Sequence, residues 1–161
     1  MAHIVILGAG IGGMPMAYEM KALARAGDTV TVISDAPKFH FVPSNPWVAV
    51  DWRKRSDIEV DIVPALKRKG IESIIQRARR VHPEANQIEM EDGSRVDYDY
   101  LVIATGPKLA FDEIEGLGPH GGHTQSICHV SHAETTKLAW DEFVKSPGPI
   151  VVGAVQGASC F

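Results

Sequence analysis

The first apolar run, Ile4-Val5-Ile6-Leu7, is short, continuous and closed by glycine, which predicts a buried strand. Beyond Gly13 the residues Met16, Ala17, Met20, Leu23 and Ala24 recur at helical spacing, with Glu19, Lys21 and Arg25 on the opposite side, so a helix follows. Gly27 stands where a left-handed cap would end it. The β-branched run at 29–33 then completes a βαβ unit. Pro43 and Pro46 interrupt the aromatic-rich stretch 39–52, which argues against a regular helix or a central strand there. Its Phe39, Phe41, Trp47 and Trp52 either fill a rigid buried loop or wall a flat cofactor. Pro64 suits the first turn of a short helix to Lys69, with Gly70 at its cap and a parallel strand at 70–76.

Further along, the pattern changes. Three short strands at 78–81, 87–90 and 94–98, separated by turn residues, predict a β-meander. Leu101-Val102-Ile103-Ala104 reads as a fully buried strand that ends in the sharp turn Thr105-Gly106-Pro107. A loop-rich stretch follows, until Ser131-His132-Ala133-Glu134, with the form of a capping box, opens a helix to about Lys145. After the break at Ser146-Pro147-Gly148-Pro149, Ile150-Val151-Val152 predicts a new strand running into a glycine-rich turn. The expected architecture is α/β: a Rossmann-like parallel sheet over 1–148 with a meander insertion. Residues 149–161 would be the first strand and turn of a second such unit, cut short before its helix, so the chain is expected to be an N-terminal piece.

The strand-to-helix turn Gly8-Ala9-Gly10-Ile11-Gly12-Gly13 carries the first candidate chemistry. It places Gly8, Gly10 and Gly13 at the three glycine positions of a dinucleotide site: a tight turn, close approach of backbone to a pyrophosphate, and close helix–strand packing. The helix N-terminus adds unpaired N–H groups and the positive end of its dipole. An acidic residue about 20 positions on usually binds the adenosine ribose. Here Ser34 holds that position and Asp35 follows one residue late.

Composition narrows the function classes. At 161 residues the chain is one domain in size and long enough for a real core, and its 45% apolar and 22% charged residues fit a globular protein rather than a disordered one. A net charge of −4 argues against a nucleic-acid partner. No apolar run reaches the length of a membrane span, and the start Met1-Ala2-His3 lacks a secretory pattern, so cytoplasmic synthesis is expected. Cys128 and Cys160 are too few for a disulfide scaffold, and neither they nor the histidines show zinc-ligand spacing, so no metal is expected. The stretch Pro119-His120-Gly121-Gly122-His123 reads as a loop. A sheet edge left open would offer a second copy a place to pair.

The order of a glycine-rich βαβ unit, a meander, a strand ending in Ala104-Thr105-Gly106 and a second glycine-rich strand resembles the two-dinucleotide-binding-domain flavoproteins. Within them, the segments His3 to Gly10, Phe41-Val42-Pro43-Ser44-Asn45-Pro46-Trp47, Tyr98 to Leu101, Ile103 to Phe111, Gln125 to Cys128 and Gly157-Ala158-Ser159-Cys160-Phe161 resemble bacterial sulfide:quinone oxidoreductases. The resemblance runs end to end and would cover about the first third of such an enzyme. It implies FAD as cofactor, sulfide and quinone as substrates, and a peripheral place on the inner membrane for the complete protein.

The resemblance also assigns roles. Gly8, Ala9, Gly10, Gly12 and Gly13, with Ser34 and Asp35, would meet the adenosine and pyrophosphate of FAD. Pro43, Ser44 and Asn45 would lie beside the flavin, Ala78 would use its backbone near the adenine, and Ala104, Thr105 and Gly106 would flank the cofactor. Cys160 resembles the flavin-proximal redox cysteine, Cys128 a further family cysteine, and His132 a position near the sulfide-oxidising site. Sulfide is a soft nucleophile that attacks a disulfide or persulfide sulfur, and the thiol released needs thiolate character to pass electrons on. The partner cysteine and the quinone pocket would lie beyond Phe161. Two other readings stay open from the residues themselves: an NADH-dependent flavoprotein of the same architecture, and a nucleotide-binding module without chemistry of its own.

Overall fold

Nine strands and four α-helices fill residues 1–153, the part of the 161-residue chain that the computed structural model describes. In order they are β1 (His3–Leu7), α1 (Gly13–Leu23), β2 (Thr29–Ser34), β3 (Lys38–His40), α2 (Asn45–Ala49), β4 (Glu59–Asp61), α3 (Ile62–Lys67), β5 (Glu72–Ile75), β6 (Ala78–His82), β7 (Gln87–Met90), β8 (Arg95–Asp97), β9 (Tyr100–Ile103) and α4 (Val130–Phe143). Four strands form a parallel sheet of order β5-β2-β1-β9. The predicted meander is the antiparallel sheet β6-β7-β8, and β3 pairs with β4 in a small antiparallel ribbon.

Alternation along the central strands builds three layers, because successive side chains leave opposite faces of a sheet. Ile6, Val30 and Val32 meet Met14 and Ala17 of α1 and Ala65 and Leu66 of α3 on one face. Val5 and Ile33 meet Ile88 and Met90 of the meander on the other. Complete burial of a side chain such as Leu66 contributes about 1.5–3 kcal/mol relative to exposure. A separate cluster joins α2 to α4 through Val48, Ala49, Ile58, Val130 and Ala133.

Several expectations are corrected. Helix α1 stops at Leu23, and Gly27, with φ of +94°, turns the chain into β2 instead of capping the helix. The Asp28 carboxylate fixes that turn by accepting the N–H groups of Arg25 and Ala2. The proline-broken stretch does contain a helix, the five residues of α2, because Pro46 falls in its first turn, where a missing N–H costs nothing. Strand β9 is not fully buried: β1 is its only strand neighbour among the described residues, and Tyr100 and Ile103 stand 65% and 63% exposed. Helix α4 begins at Val130 with no side-chain cap, so Ser131 lies inside its first turn and the expected capping box is not used. Burial of Val130 against α2 sets that start. Ile150, Val151 and Val152 form no strand and are exposed, since no neighbouring strand pairs with them among the described residues.

Candidate functional site

All four parallel strands end at one edge, with Leu7 level with Ile33 and Ile103, and Ser34 level with Ile75. The turns that follow them are laced together. The N–H of Gly8 donates to the Ile33 carbonyl at 2.8 Å, that of Ala104 to Leu7 at 2.7 Å and that of Gln76 to Ser34 at 2.8 Å. The glycine turn, Ser34-Asp35, Gln76 to Ala78 and Ala104 to Gly106 therefore lie side by side at the carboxyl edge, where open α/β sheets bind ligands.

Gly8 and Gly13 have the steric tasks that their positions suggest. A Cβ on Gly8, whose φ is +107°, would overlap the Ala104 carbonyl and come within 2.9 Å of the Thr105 nitrogen. One on Gly13 would overlap the Gly8 carbonyl oxygen, which is what brings α1 tight against β1. At Gly10 a Cβ would meet nothing within 4 Å, and the same holds at Gly106, with φ of +73°. Gly12 is almost as open, its nearest neighbour being the Ala104 Cβ at 3.9 Å. The backbone on either side of the turn thus borders clear space, and no acceptor is found for the N–H groups of Gly10, Ile11 and Gly12 among the described residues. Such a cradle fits the pyrophosphate of a dinucleotide such as FAD. Ala9 turns away from it into the core.

Ser34 and Asp35 divide differently from expectation. Ser34 is buried, and its hydroxyl donates to the Ala36 carbonyl at 2.9 Å while accepting the Ala36 N–H at 3.3 Å. Asp35 is exposed, so it is the carboxylate presented at the end of β2. Ala78 opens β6 beside a bulge between Ala78 and Arg80, and with Arg77, Arg79 and Glu91 it lines a cleft of about 410 Å³.

The other predicted residues gather around α2 and α4. Pro43 lies in the 3-10 turn before α2. Buried Ser44 accepts a hydrogen bond from Arg53 Nη1 at 2.7 Å. Asn45, fully buried, accepts from His40 Nε2 at 2.7 Å and donates to the Ile127 carbonyl at 2.9 Å, tying α2 to the segment before α4. On that segment Cys128 is exposed, and its N–H donates to Ser126 Oγ at 3.2 Å. His132 is buried in the first turn of α4, with Nδ1 at 3.3 Å from the same Ser126 oxygen and Nε2 at 3.0 Å from His120 Nε2. Burial, then the neighbouring His129 and His120, push its pKa below the ordinary value, so it is neutral near pH 7. Cys160 lies outside the described residues.

Sequence reasoning missed Arg53, His40, Ser126 and His120. The signal for His120 was present in the glycines around it. A Cβ on Gly122 would run into the carbonyls of Gly118, Leu117 and Gly116, so the loop folds back on itself only with glycine there.

Comparison with known proteins agrees with this geometry. The chain is 42% identical over 159 residues to the sulfide-quinone reductase of Aquifex aeolicus, covering 99% of this chain and 36% of that protein. It is 29% identical over 161 residues to the mitochondrial sulfide:quinone oxidoreductase of Dictyostelium discoideum, covering 98% of this chain and 35% of that protein. The X-ray structure of the Aquifex aeolicus sulfide:quinone oxidoreductase superposes with a TM-score of 0.89 at 41% identity, over 100% of this chain and 36% of that one. The chain spans about a third of the length of the curated relatives it matches. The family model for pyridine nucleotide-disulphide oxidoreductases matches residues 2–155, which include the glycine turn, the meander and the Ala104 to Gly106 bend. The chain belongs to the pyridine nucleotide-disulphide oxidoreductase family.

Proposed function

We propose that the complete protein oxidises sulfide with FAD and delivers the electrons to a quinone, and that this chain supplies its FAD-binding part. The observation that carries the reading is the 42% identity, over nearly the whole chain, to a sulfide-quinone reductase. Residues 1–148 are the FAD-binding unit in this reading, and 149–161 begin a second dinucleotide-type unit.

FAD, when bound, supplies a two-electron acceptor that can be emptied again by a quinone. The chain's own residues do the rest. The free amides of Gly10, Ile11 and Gly12 and the N-terminus of α1 hold the pyrophosphate, Asp35 takes the ribose hydroxyls in place of Ser34, and the Ala78 backbone borders the adenine. Ala104, Thr105 and Gly106 form the opposite wall. Pro43, Ser44 and Asn45, held rigid by Arg53, His40 and Ile127, lie toward the flavin. Cys160 is the thiol that exchanges sulfur and electrons, and exposed Cys128 is a second sulfur within reach of a small soft nucleophile. Neutral His132, buried at the head of α4, orients the segment that carries Cys128 through Ser126, whose hydroxyl oxygen also accepts the Cys128 N–H. Quinones partition into lipid, so their reduction belongs at a membrane surface. No helix among the described residues is long and apolar enough to cross a membrane. A homo-oligomer belongs to the same reading, supported by the edge of β9 that no strand covers among the described residues.

Flavin absorbance of the purified full-length protein is expected to bleach on adding sulfide and to return with a quinone. Bleaching by NADH instead moves the assignment to a pyridine-nucleotide-dependent flavoprotein, and a colourless protein that takes up no FAD leaves only a nucleotide-like fold. Cys160→Ser is expected to keep the flavin and lose the response to sulfide.

A further inference from the structure

The loop before α4 brings two imidazoles into a contact with a strict proton requirement. His120 Nε2 and His132 Nε2 are 3.0 Å apart, a hydrogen-bond distance, so one of the two nitrogens must carry the proton and the other must accept it. The partners differ in environment: His120 is exposed, whereas His132 is buried with its ring edge-on to His120 and to His129. On its far side His132 Nδ1 faces Ser126 Oγ, an oxygen that already accepts the Cys128 N–H.

We propose that His120 is a positioning residue that holds His132 in its neutral Nδ1–H tautomer by donating to His132 Nε2. Nδ1–H of His132 then donates to Ser126 Oγ. An N–H on exposed His120 leaves that ring's second nitrogen toward solvent, whereas both nitrogens of His132 are already in contact with a partner. A second proton would set two N–H groups against each other across 3.0 Å, so His132 charges only when the contact breaks.

The titratable neighbours favour a neutral His132. His120 from the loop and His129 at the head of α4 both disfavour charge on His132. Among the described residues, the charged side chains of α4 next along the helix are engaged elsewhere: Glu134 with Arg55, and Lys137 with Asp141 and Asp51. The 116–124 loop is built to deliver His120. The N–H of His123 donates to the Gly116 carbonyl, and that of Gly118 to Thr124 Oγ1, each at 2.7 Å. The consequence for catalysis rests on the sulfide-oxidising reading, in which His132 orients the Cys128 segment through Ser126; the tautomer itself does not.

Nitrogen-15 NMR of the full-length, histidine-labelled protein tests the tautomer directly. His132 is expected to show a protonated Nδ1 and an unprotonated Nε2 at pH 7. In His120→Ala the two nitrogen shifts should converge and the His132 pKa should rise, while His120→Gln, whose amide still donates, should restore the native tautomer. A dominant Nε2–H tautomer in the native protein overturns the proposal, as do unchanged His132 shifts in a folded His120→Ala variant. Sulfide-driven reduction measured alongside separates the two claims. Native shifts as expected in a protein that ignores sulfide would leave the tautomer standing and remove the proposed reaction.

Discussion

Gly13 rests directly against the carbonyl oxygen of Gly8, in space that any Cβ would need. That contact draws α1 onto β1, and it separates the glycines of this turn into those that serve packing and those that leave room for a ligand.

Gly13→Ala is therefore expected to destabilise the fold by about 1–3 kcal/mol, the range for forcing an extra carbon into a packed site. Gly10→Ala should leave the melting temperature nearly unchanged, because its Cβ meets nothing within 4 Å. The same variant should lose FAD on dilution faster than the native protein. Thermal melts and flavin retention on the two variants check the pair, and equal melting temperatures would contradict the division.

Leu66 is completely buried between α3 and the sheet. Leu66→Ala is expected to cost about 2–5 kcal/mol through lost transfer energy and a residual cavity. Urea unfolding with an unchanged m-value should report it.

Asn45 joins His40 to the Ile127 carbonyl without any exposure to water. Asn45→Leu removes both hydrogen bonds and leaves those partners unsatisfied, at a cost of about 1–3 kcal/mol for each group left buried. Faster amide exchange at residues 126–133 than in the native protein is the expected signature, since this bridge anchors the segment before α4.

Acid should weaken the protein through His132. Its folded pKa is below the ordinary 6.5, so the unfolded chain binds more protons between the two values. The contribution is complete above the unfolded pKa and is lost as pH falls toward the folded one. Urea midpoints should decline from about pH 7 downward, and His132→Asn should decline less steeply over the same range.

The glycine turn was legible because its spacing and the packing of Gly13 on the Gly8 carbonyl are local, whereas the approach of Gly8 to the distant Ala104 carbonyl was not. The meander was legible for a similar reason, as its turns carry their own signals at 83–86 and 91–93. The start of α4 was not, because burial of Val130 on α2 outweighs the capping preference of Ser131. Proline at 46 was read as forbidding a helix when its place in the first turn permits one. His120 and His132 are twelve residues apart across a glycine loop, and nothing in their spacing announces that the rings meet. Ser34 matched the ribose position by count, yet its hydroxyl closes on Ala36, a local competition that residue type alone does not reveal.

Strand β1 occupies the middle of the sheet, yet one of its two partners, β9, begins with Tyr100 opposite Ile4. The N–H of His3 reaches across to the Asp99 carboxylate, 96 residues away along the chain. Pairings of such long sequence separation slow folding, because a large loop must close before any contact rewards it. As the chain leaves the ribosome, β1, α1 and β2 are made together, whereas the other flank of β1 waits for most of the domain to be synthesised. The wall opposite the glycine turn is thus assembled late, and the nucleotide cradle is finished only when the last strand of the sheet arrives.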